Sequence, residues 1–565
     1  MPRQIIANTA AIATGHPYGA AAGIEMLRHG GNAIDAAVAA MLALSVVIPG
    51  SVGLGGYGGS AVIQIAGSHP EGTRRGAGSR RKVTGSRQLA SNGPSPTVTA
   101  VDFDSRAPLG WREGVVTADP QSSYYGARAV TVPGVVAGLD QILREFGTKS
   151  WSEVSQPAIL LAKDGFEFDA EHQRHFNRCA AKFDRQSVSS LFPGGAPPGI
   201  GDRWRQPQLA KLLERLAAEG PLSFYDGEIA HAIVRYLDQR GGILTEQDFC
   251  SYRPQIVQPL HVACRGFDFY TPPPPSGGVT TLEIVRTVEL YLTASSMAPW
   301  SAAYFHVLAE TMKLAWHERQ GALGDPDFVS IPIDEMLSEG AAAERVEQIR
   351  ARWKALSEDT GQKQDNLGPP SPPGTPWVAP GHDSPHTANV IAMDADGNLI
   401  SITATQGWMY GSHLVVDGLG LVLNHGMSRF DYSPGHANAP APGKRMLHNM
   451  APMIVLRKDR PAFALGMPGG AKIVSVTAQL ALNAIAFGAT PAASIAAPRV
   501  HTDGSEPLLV SSHMPARVVA DLETLGHVIR REEDMGGPVN VLAADSQSGK
   551  IDIASGESTG AVAGF

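Results

Sequence analysis

The sequence predicts a layered α+β fold, and three features of the chain support this prediction. Helical patterns dominate from Thr131 to about Gln320. Short apolar runs separated by glycine turns dominate from Thr387 to about Leu465. The two patterns occur in blocks without regular alternation, and the chain shows no internal repeat. Such blocks are typical of layered α+β proteins, whereas parallel α/β proteins alternate strand and helix.

The first elements are two predicted helices between residues 16 and 47, separated by Gly30 and Gly31. Asn32 is a good N-cap for the second helix. A G-x-G-x-x-G match follows within residues 53–59. A dinucleotide site would need a strand before this motif and a helix after it. Here a helix and Pro49 come before it and a β-like run follows, so we expect a tight buried turn near the candidate site.

Residues 66–99 form a polar segment with few apolar residues and several arginines. Such a composition favours a surface insertion without fixed structure. An electrostatic lid for acidic ligands is the alternative interpretation.

The middle of the chain is predicted from apolar periodicity and from helix start and stop signals. Helices are expected over residues 132–146, 151–163, 207–219, 224–240, 280–292 and 304–320, with a strand at 267–270 before four prolines. Residues 355–386 are rich in Pro, Gly and Asp, and we expect a mobile linker there that is open to cleavage. A last helix is predicted over residues 471–487.

Thr387 stands directly after this linker and at the start of a predicted β-hairpin. The two apolar runs, Val390 to Met393 and Leu399 to Thr405, are separated by the turn sequence Asp-Ala-Asp-Gly-Asn. An Asp/Gly/Asn turn between two β-prone runs is a strong hairpin signal. The sequence therefore places Thr387 at the first strand of the hairpin.

This position suits one kind of chemistry. If the bond between His386 and Thr387 is cut, Thr387 gains a free α-amine beside its own hydroxyl. A hydroxyl is a weak nucleophile and needs an adjacent base. An α-amine has a pKa of about 7.7–8, close to the operating pH that suits a general base. One residue would then supply both nucleophile and base.

Composition and charge exclude several classes. The chain has 565 residues, is 43% hydrophobic and carries a net charge of −8, so no basic field indicates nucleic-acid binding. Its three cysteines, Cys179, Cys250 and Cys264, show neither a disulfide framework nor metal-ligand spacing. We expect no cofactor and no metal. No apolar run reaches the roughly 20 residues of a membrane span, and no signal peptide is visible, so a cytoplasmic location is expected.

The chain resembles the γ-glutamyltransferase family of N-terminal nucleophile hydrolases. The resemblance runs nearly from end to end and rests on the order of many short motifs. They include Gly30-Gly31-Asn32-Ala33-Ile34-Asp35, the glycine turn at 53–59, Val132-Pro133-Gly134, Phe224-Tyr225-Asp226-Gly227, Pro275-Ser276-Gly277-Gly278, Gly324-Asp325-Pro326, Gly411-Ser412, Pro442-Gly443-Lys444-Arg445 and Pro468-Gly469-Gly470.

This resemblance implies a four-layer αββα sandwich that is made as a precursor. It implies self-cleavage before Thr387, which gives a large subunit (1–386) and a small subunit (387–565) that stay associated. Thr405 matches the second threonine that orients the nucleophile. Gly469 and Gly470 match the pair whose backbone N–H groups stabilise the oxyanion, where losing one donor costs about 2.7–4 kcal/mol. The implied substrate is a small-molecule amide; neither nucleic acid nor membrane is an expected partner.

The positions that hold the glutamyl group in this family are mostly different here. The family pattern Arg-Glu-x-Ala-Pro is replaced by Asp104-Ser105-Arg106-Ala107-Pro108, so the arginine comes two places late. The other altered positions, all expected to contact substrate, are Gly407, Gly426, Arg429, His448 and Asn449. Gly407 stands where the family has Asn, Gly426 and Arg429 stand where it grips the donor's amine, and His448-Asn449 replaces Ser-Ser.

Arg429 has a direct physical consequence. An ammonium group needs carboxylates or carbonyls nearby, whereas an arginine would repel it and attract an acidic acyl group. We therefore expect a donor without the glutamyl amine, such as a glutaryl-like or oxamate-like amide. In the alternative interpretation, Arg429 turns outward to solvent, as arginines commonly do. His413, His425 and His448 either line the pocket or are simply hydrogen-bonded polar residues.

Three functions remain open at this point. The first is a self-processing amidohydrolase or acyltransferase that acts through Thr387. The second is a true γ-glutamyltransferase or glutathione hydrolase. The third is a binding protein on the same fold that is never cleaved.

Overall fold

The structure is a computed structural model, and it describes residues 2–67, 97–115, 123–295, 297–358, 387–556 and 559–565. Most of the predicted insertion, most of the predicted linker, and His386 lie outside these ranges.

The strands are, in chain order, β1 (Arg3–Ala7), β2 (Ala11–Thr14), β3 (Gly58–Ile65), β4 (Thr97–Asp102), β5 (Phe166–Glu167), β6 (Arg203–Trp204), β7 (Gln255–Val257), β8 (Leu260–Cys264), β9 (Phe267–Thr271), β10 (Ala388–Met393), β11 (Leu399–Thr405), β12 (Val415–Val416), β13 (Leu421–Val422), β14 (Met453–Arg457), β15 (Arg460–Gly466), β16 (Val500–His501), β17 (Leu508–Ser511), β18 (Ile529–Glu532), β19 (Asn540–Ala544), β20 (Ile551–Ser555) and β21 (Ala561–Gly564).

The α-helices are α1 (Pro17–Arg28), α2 (Ala33–Val47), α3 (Val135–Phe146), α4 (Trp151–Asp164), α5 (Ala170–Cys179), α6 (Arg185–Leu191), α7 (Pro207–Glu219), α8 (Glu228–Asp238), α9 (Glu246–Ser251), α10 (Gly278–Thr293), α11 (Ala302–Ala322), α12 (Ile333–Met336), α13 (Glu339–Glu358), α14 (Lys472–Phe487), α15 (Pro491–Ala496) and α16 (Ala516–Thr524).

Two seven-stranded sheets form the centre of the molecule. The first sheet contains β10, which directly follows the predicted nucleophile Thr387, and is called the nucleophile sheet. It has the order β21-β2-β10-β11-β3-β4-β7, and the second sheet has the order β1-β20-β19-β15-β14-β9-β8. Strands β10 and β3 alternate between two apolar environments, because successive side chains point to opposite faces. Ile391 and Val62 meet the second sheet, whereas Val390 and Ile63 pack toward the helices.

Three apolar cores define four layers. One core lies between the sheets and joins Ile391 and Val62 to Ile454 and Leu542. A second core covers the outer face of the nucleophile sheet with α2, α3 and α4. A third covers the outer face of the second sheet with α10, α11 and α14. The order helix, sheet, sheet, helix confirms the predicted αββα sandwich.

The hairpin that carries Thr387 forms as predicted. Strands β10 and β11 pair in an antiparallel register that sets Ala388 opposite Ala404 and Met393 opposite Leu399. The turn is closed by Asp394, whose carboxylate accepts hydrogen bonds from the backbone N–H groups of Asp396 and Asn398. Its second oxygen accepts from the N–H of Ala33 at the start of α2, 2.8 Å away. The turn is therefore tied to the first helix layer.

Several element boundaries differ from the sequence expectations. Helix α13 ends at Glu358, within the segment predicted as linker from residue 355. Strand β4 begins at Thr97, within the segment predicted as an insertion up to residue 99. Gly58, the second-to-last glycine of the predicted turn, already belongs to strand β3. Among the described residues, no helix is both long enough and apolar enough to cross a bilayer.

Candidate active site

Thr387 lies at the rim of the nucleophile sheet, one residue before β10. Because Ala388 pairs with Ala404, the register brings Thr387 opposite Thr405 at the end of β11. The Thr387 hydroxyl donates a hydrogen bond to Thr405 Oγ1 at 3.2 Å. Thr387 is partly exposed, whereas Thr405 is 1% exposed. A reachable hydroxyl thus lies against a buried one that holds its position.

Thr405 is held in turn by the loop that follows it. The backbone N–H of Gly407 donates to Thr405 Oγ1 at 2.8 Å. Gly407 has φ of +98°, and a Cβ atom there would lie 2.5 Å from the His425 ring. A side chain at this position would therefore clash with that ring. The glycine is required both by its backbone conformation and by the close approach of His425.

His425, which follows β13, is a neutral, buried residue that contacts this loop. Its Nε2 accepts a hydrogen bond from the backbone N–H of Trp408, which leaves Nδ1 to donate toward the carbonyl of Tyr124 at 3.3 Å. Burial, followed by the charge of Arg429, lowers the pKa of His425 from 6.5 to about 3. His425 therefore supports the loop and is not poised to exchange a proton at neutral pH.

Asn389 ties strand β10 to its neighbours through hydrogen bonds. Its amide donates to the carbonyl of Ile402 and to Thr403 Oγ1, both at 3.0 Å. Asn540 of the second sheet donates to the carbonyl of Asn389. These buried bonds hold Asn389 against β11 and against β19 of the second sheet, so the position of Thr387, two residues earlier, is set by the sheets.

Gly469 and Gly470 lie in the loop between β15 and helix α14. This loop leaves β15 at Gly466, which packs directly against the Asn389 side chain. Gly470 has φ of +58°, and α14 begins two residues later at Lys472. The N-terminus of a helix presents unpaired N–H groups and partial positive charge. The predicted oxyanion donors thus lie at a helix N-terminus close to the nucleophile's strand.

Asp104 lies beside the same rim. Thr405 pairs with Gly58, and a Cβ atom on Gly58 would lie 2.9 Å from Asp104 Cα. Asp104 is 2% exposed, and neither carboxyl oxygen has a hydrogen-bond partner among the described residues. Burial, with the nearby charge of Asp102, holds the pKa of Asp104 well above its usual value. The neutral form of the carboxyl group is therefore favoured.

Arg429 faces this buried region. It follows His425 in a short 3₁₀ turn, Gly426–Arg429, and its Nε is buried without a hydrogen-bond partner among the described residues. Its charge lowers the pKa of His425 and of His448 and acts on Asp104 and Tyr57. No ion pair joins Arg429 to a described carboxylate.

The remaining predicted substrate residues divide into two groups. His448 is 1% exposed, and its Nε2 lies 3.8 Å from Asp104 Oδ2. Asn449 accepts a hydrogen bond from buried Arg319 at 2.8 Å. Arg106, two residues after Asp104, donates to the carbonyl of Gly443 at 3.1 Å. Gly426 packs against Thr131, whose hydroxyl a Cβ atom would meet. The structure thus brings His448 to Asp104 and commits Asn449 and Arg106 to other partners.

Asp104, Tyr57 and Arg319 were missed as site residues by the sequence reasoning. A Cβ atom on Gly407 would lie 3.0 Å from the Tyr57 ring. Arg429 and Asp104 both lie close enough to Tyr57 for their charge to affect its hydroxyl. For Asp104 a signal existed, because it occupies the first place of the altered Arg-Glu-x-Ala-Pro pattern. For Tyr57 and Arg319 the sequence holds no comparable signal. In the part of the chain that the structure describes, no cluster of three or more metal-ligating side chains is present.

The four layers and a threonine at the rim of the nucleophile sheet define an N-terminal nucleophile hydrolase fold. Comparison with known structures agrees. A crystal structure of a cephalosporin acylase from Bacillus halodurans is 26% identical with a TM-score of 0.82, covering 100% of this chain and 97% of that one.

The chain belongs to the gamma-glutamyltranspeptidase family, whose family model matches residues 19–71 and 85–563. An "Acylase ACY 1 proenzyme" of Pseudomonas sp. (strain SE83) is 33% identical over 537 residues, which is 94% of this chain and 89% of that protein. A "Glutathione hydrolase proenzyme" of Bacillus subtilis (strain 168) is 29% identical over 565 residues, covering 98% and 91%. The protein is thus an enzyme of amide hydrolysis or acyl transfer.

Proposed function

We propose that this protein is a self-processing amidohydrolase or acyltransferase that forms an acyl-enzyme on Thr387. Cleavage of the bond between residues 386 and 387 releases the α-amine of Thr387 and leaves a large fragment, 1–386, and a small fragment, 387–565. The proenzyme names of two relatives support this step. The fragments stay together because strand β10 is paired on one side with β2 of the large fragment.

The reaction then proceeds in two halves. The α-amine accepts the proton of the Thr387 hydroxyl while Oγ1 attacks the amide carbonyl. As that proton leaves, the Thr405 hydroxyl, whose oxygen lies 3.2 Å from Oγ1, turns to donate to Oγ1 and keeps it in place. The N–H groups at Gly469 and Gly470 stabilise the oxyanion. The C–N bond breaks as the leaving amine takes the proton. Water or a second amine attacks the resulting ester in the same way and releases the acyl group.

We propose an acidic acyl group as the donor, and Arg429 is the observation that carries this proposal. Its Nε is buried and has no partner among the described residues. Its charge acts on His425, whose ring lies against Gly407, and Gly407 bonds to Thr405. A guanidinium group pairs well with a carboxylate and repels an ammonium group. A glutaryl-like or oxamate-like acyl group meets this requirement, whereas a glutamyl group brings an amine. The similarity to two acylases is consistent with such a donor.

The variant Arg429→Met tests the donor. We expect glutaryl anilide to lose kcat/KM by roughly 10- to 150-fold, because a charge-assisted hydrogen bond contributes about 1.5–3 kcal/mol. Pentanoyl anilide, which lacks the distal carboxylate, should change little. Arg499→Met is the matched control, because Arg499 Nε is likewise buried without a partner among the described residues, and the guanidinium of Arg499 donates to the carbonyl of Ile495 in helix α15. Equal losses on both anilides would contradict the assignment.

A true γ-glutamyltransferase is the second candidate, favoured by the glutathione hydrolase relative. If wild-type enzyme cleaved γ-glutamyl anilide efficiently and ignored glutaryl anilide, this candidate would replace the first.

A denaturing gel separates either enzyme from an uncleaved binding protein. Two fragments indicate processing, and Thr387→Ala should give one band and no activity. A cytoplasmic location stays a prediction from the sequence, which fractionation of the producing cells would test.

A further inference from the structure

Asp104 carries an inference that rests on the proposed acidic donor. We propose that Asp104 is a specificity-determining residue that binds the distal carboxylate of the donor by donating its own proton to it, while Arg429 supplies the positive charge. The acyl pocket would then recognise a carboxylate through one neutral acid, Asp104, and one cation, Arg429, and no ammonium group takes part.

The first argument is the state of the carboxyl group itself. Both oxygens of Asp104 are buried and have no hydrogen-bond partner among the described residues. Leaving a buried polar group without a partner costs about 1–3 kcal/mol, and more for a charged group. His448 Nε2 lies 3.8 Å from Asp104 Oδ2, which is too far for a hydrogen bond. A buried carboxyl group of this kind, on the same rim of the sheet as Thr387, is suited to a ligand.

The second argument is that the arginines near Asp104 either form ion pairs with other carboxylates or lie beyond ion-pair distance of Asp104. Arg445 bonds Asp102 and Asp325, each at 2.6 Å, and Asp327 at 3.0 Å. The charge of Arg445 is therefore neutralised by three other carboxylates, which weakens its attraction for Asp104. Arg429 acts on Asp104 only from beyond ion-pair distance. With Asp102 and Asp325 as like charges close by, the neutral form of Asp104 is favoured.

The other groups that face Asp104 do not change this state. His448 is neutral, because burial and the charges of Arg319 and Arg429 hold its pKa well below the usual value. Its Nδ1 accepts from the N–H of Met450, so Nε2 carries the hydrogen. The Tyr252 hydroxyl donates to the backbone carbonyls of Phe103 and Asp104 and does not reach the carboxyl group as a donor. Burial raises the pKa of both Tyr57 and Tyr252, so both stay neutral.

The position of Asp104 also suits a short diacid. Strands β10, β11, β3 and β4 are consecutive in the nucleophile sheet, with Thr387 at the first and Asp104 just after the last. Three interstrand spacings of about 4.8 Å separate their backbones by roughly 14 Å. The two side chains and a short dicarboxylic acyl group together can cover this distance.

The proton on Asp104 decides which donor is accepted. Protonated Asp104 and Arg429 offer two hydrogen-bond donors and one positive charge, which complements a carboxylate. Ionised Asp104 would repel that carboxylate and would attract an ammonium group. Acceptance of the acidic donor should therefore weaken at alkaline pH, once Asp104 loses its proton.

The test is the ratio of kcat/KM for glutaryl anilide to that for pentanoyl anilide, measured across pH. The ratio cancels the titration of the Thr387 amine, which serves both substrates. In wild-type enzyme we expect the ratio to fall roughly tenfold or more at alkaline pH. In Asp104→Asn, which keeps a hydrogen-bond donor of the same shape and cannot ionise, the ratio should stay near the low-pH wild-type value at every pH.

A pH-independent ratio in wild-type enzyme, or loss of the ratio in Asp104→Asn at every pH, would overturn the inference. Should the variant not fold, competition of glutaramate and of pentanamide, which differ only in the distal carboxylate, for wild-type enzyme over the same pH range gives the same answer. The proposed function fails separately, when processed enzyme hydrolyses neither anilide or prefers γ-glutamyl anilide. The inference alone fails when glutaryl anilide is a good substrate but neither pH nor Asp104 affects its selection.

Discussion

Thr405 offers one hydroxyl to two groups of the site, the Thr387 hydroxyl and the Gly407 N–H. The variant Thr405→Val keeps the shape and removes both contacts. We expect kcat to fall roughly 5- to 150-fold, because an unpaired buried N–H and a freed nucleophile together cost about 1–3 kcal/mol. Self-cleavage, followed by the appearance of two fragments over time, should slow as well.

Thr403→Val is the matched control for this variant. Thr403 lies on the same strand, is equally buried and accepts a hydrogen bond from Asn389 instead. It should lower stability by about 1 kcal/mol with a smaller effect on kcat. Equal kcat values for the two variants would show that Thr405 has no special relation to the nucleophile.

The residues of the site were predictable to different degrees. Thr387 could be found because the linker and the turn signal place it at the start of the hairpin. Thr405 was implied by the resemblance, and the hairpin register sets it opposite Thr387. The state of Asp104 could not be found in this way. It depends on Arg445, more than 300 positions along the chain, being engaged by Asp102 and Asp325. Such distant pairings leave no local pattern.

At the scale of the elements, Asp394 connects the nucleophile hairpin to helix α2. Its carboxylate accepts from Ala33 in the first helix layer and from two backbone groups of its own turn. Asp394→Ala should lower the free energy of unfolding by about 1.5–3 kcal/mol, the usual worth of hydrogen bonds to a charged group. Chemical denaturation of processed enzyme measures this change.

Asp396→Ala provides the comparison, because Asp396 lies in the same turn, is exposed and contributes only its backbone N–H. Its stability should stay within about 0.5 kcal/mol of wild type. If both variants lost the same stability, the link between hairpin and helix would not be the cause.

The helix predictions succeeded where end signals were strong. Helix α7 has the predicted bounds, Pro207–Glu219, because proline suits a first helical turn and Gly220 ends the helix with a positive φ. Helix α13 was not predicted, and it continues to Glu358, where the sequence suggested a linker. Its apolar side chains, such as Val346 and Ile349, pack only in a small cluster with α10 and α11. The position of helix α13 is therefore decided by this tertiary packing, since the sequence holds no strong signal at the end of the helix.

At the scale of the whole molecule, buried histidines make stability depend on pH. Burial is the main cause that lowers the pKa of His16, His175 and His306 from 6.5 to about 4, and that of His413 and His425 to about 3. Below pH 6.5 the unfolded chain binds protons that the folded chain does not. The unfolding free energy should therefore fall as the pH drops from about 6.5 to about 4.

The apparent melting temperature in a buffer series measures this dependence. His306→Gln should make the slope shallower, because it removes one of the groups that gain a proton on unfolding. His29→Gln, at an exposed position of the surface, should leave the slope unchanged. A melting temperature that is constant between pH 6.5 and pH 4 would contradict the interpretation.

The four-layer order was implied by the resemblance, but the order of strands within each sheet was not predictable from local patterns. Strand β1 near the N-terminus pairs with β20 near the C-terminus, and β2 pairs with β21. These pairings join the two ends of the chain across the predicted cleavage position. The sheets should therefore hold the fragments together after the backbone is cut.

The most direct test is intact-mass spectrometry of enzyme that is turning over glutaryl anilide and is quenched with acid. A small fragment that begins at Thr387 and carries one glutaryl group on that residue is the predicted result. Activity from an unbroken chain, a fragment that begins elsewhere, or an acyl group on another residue would contradict the account.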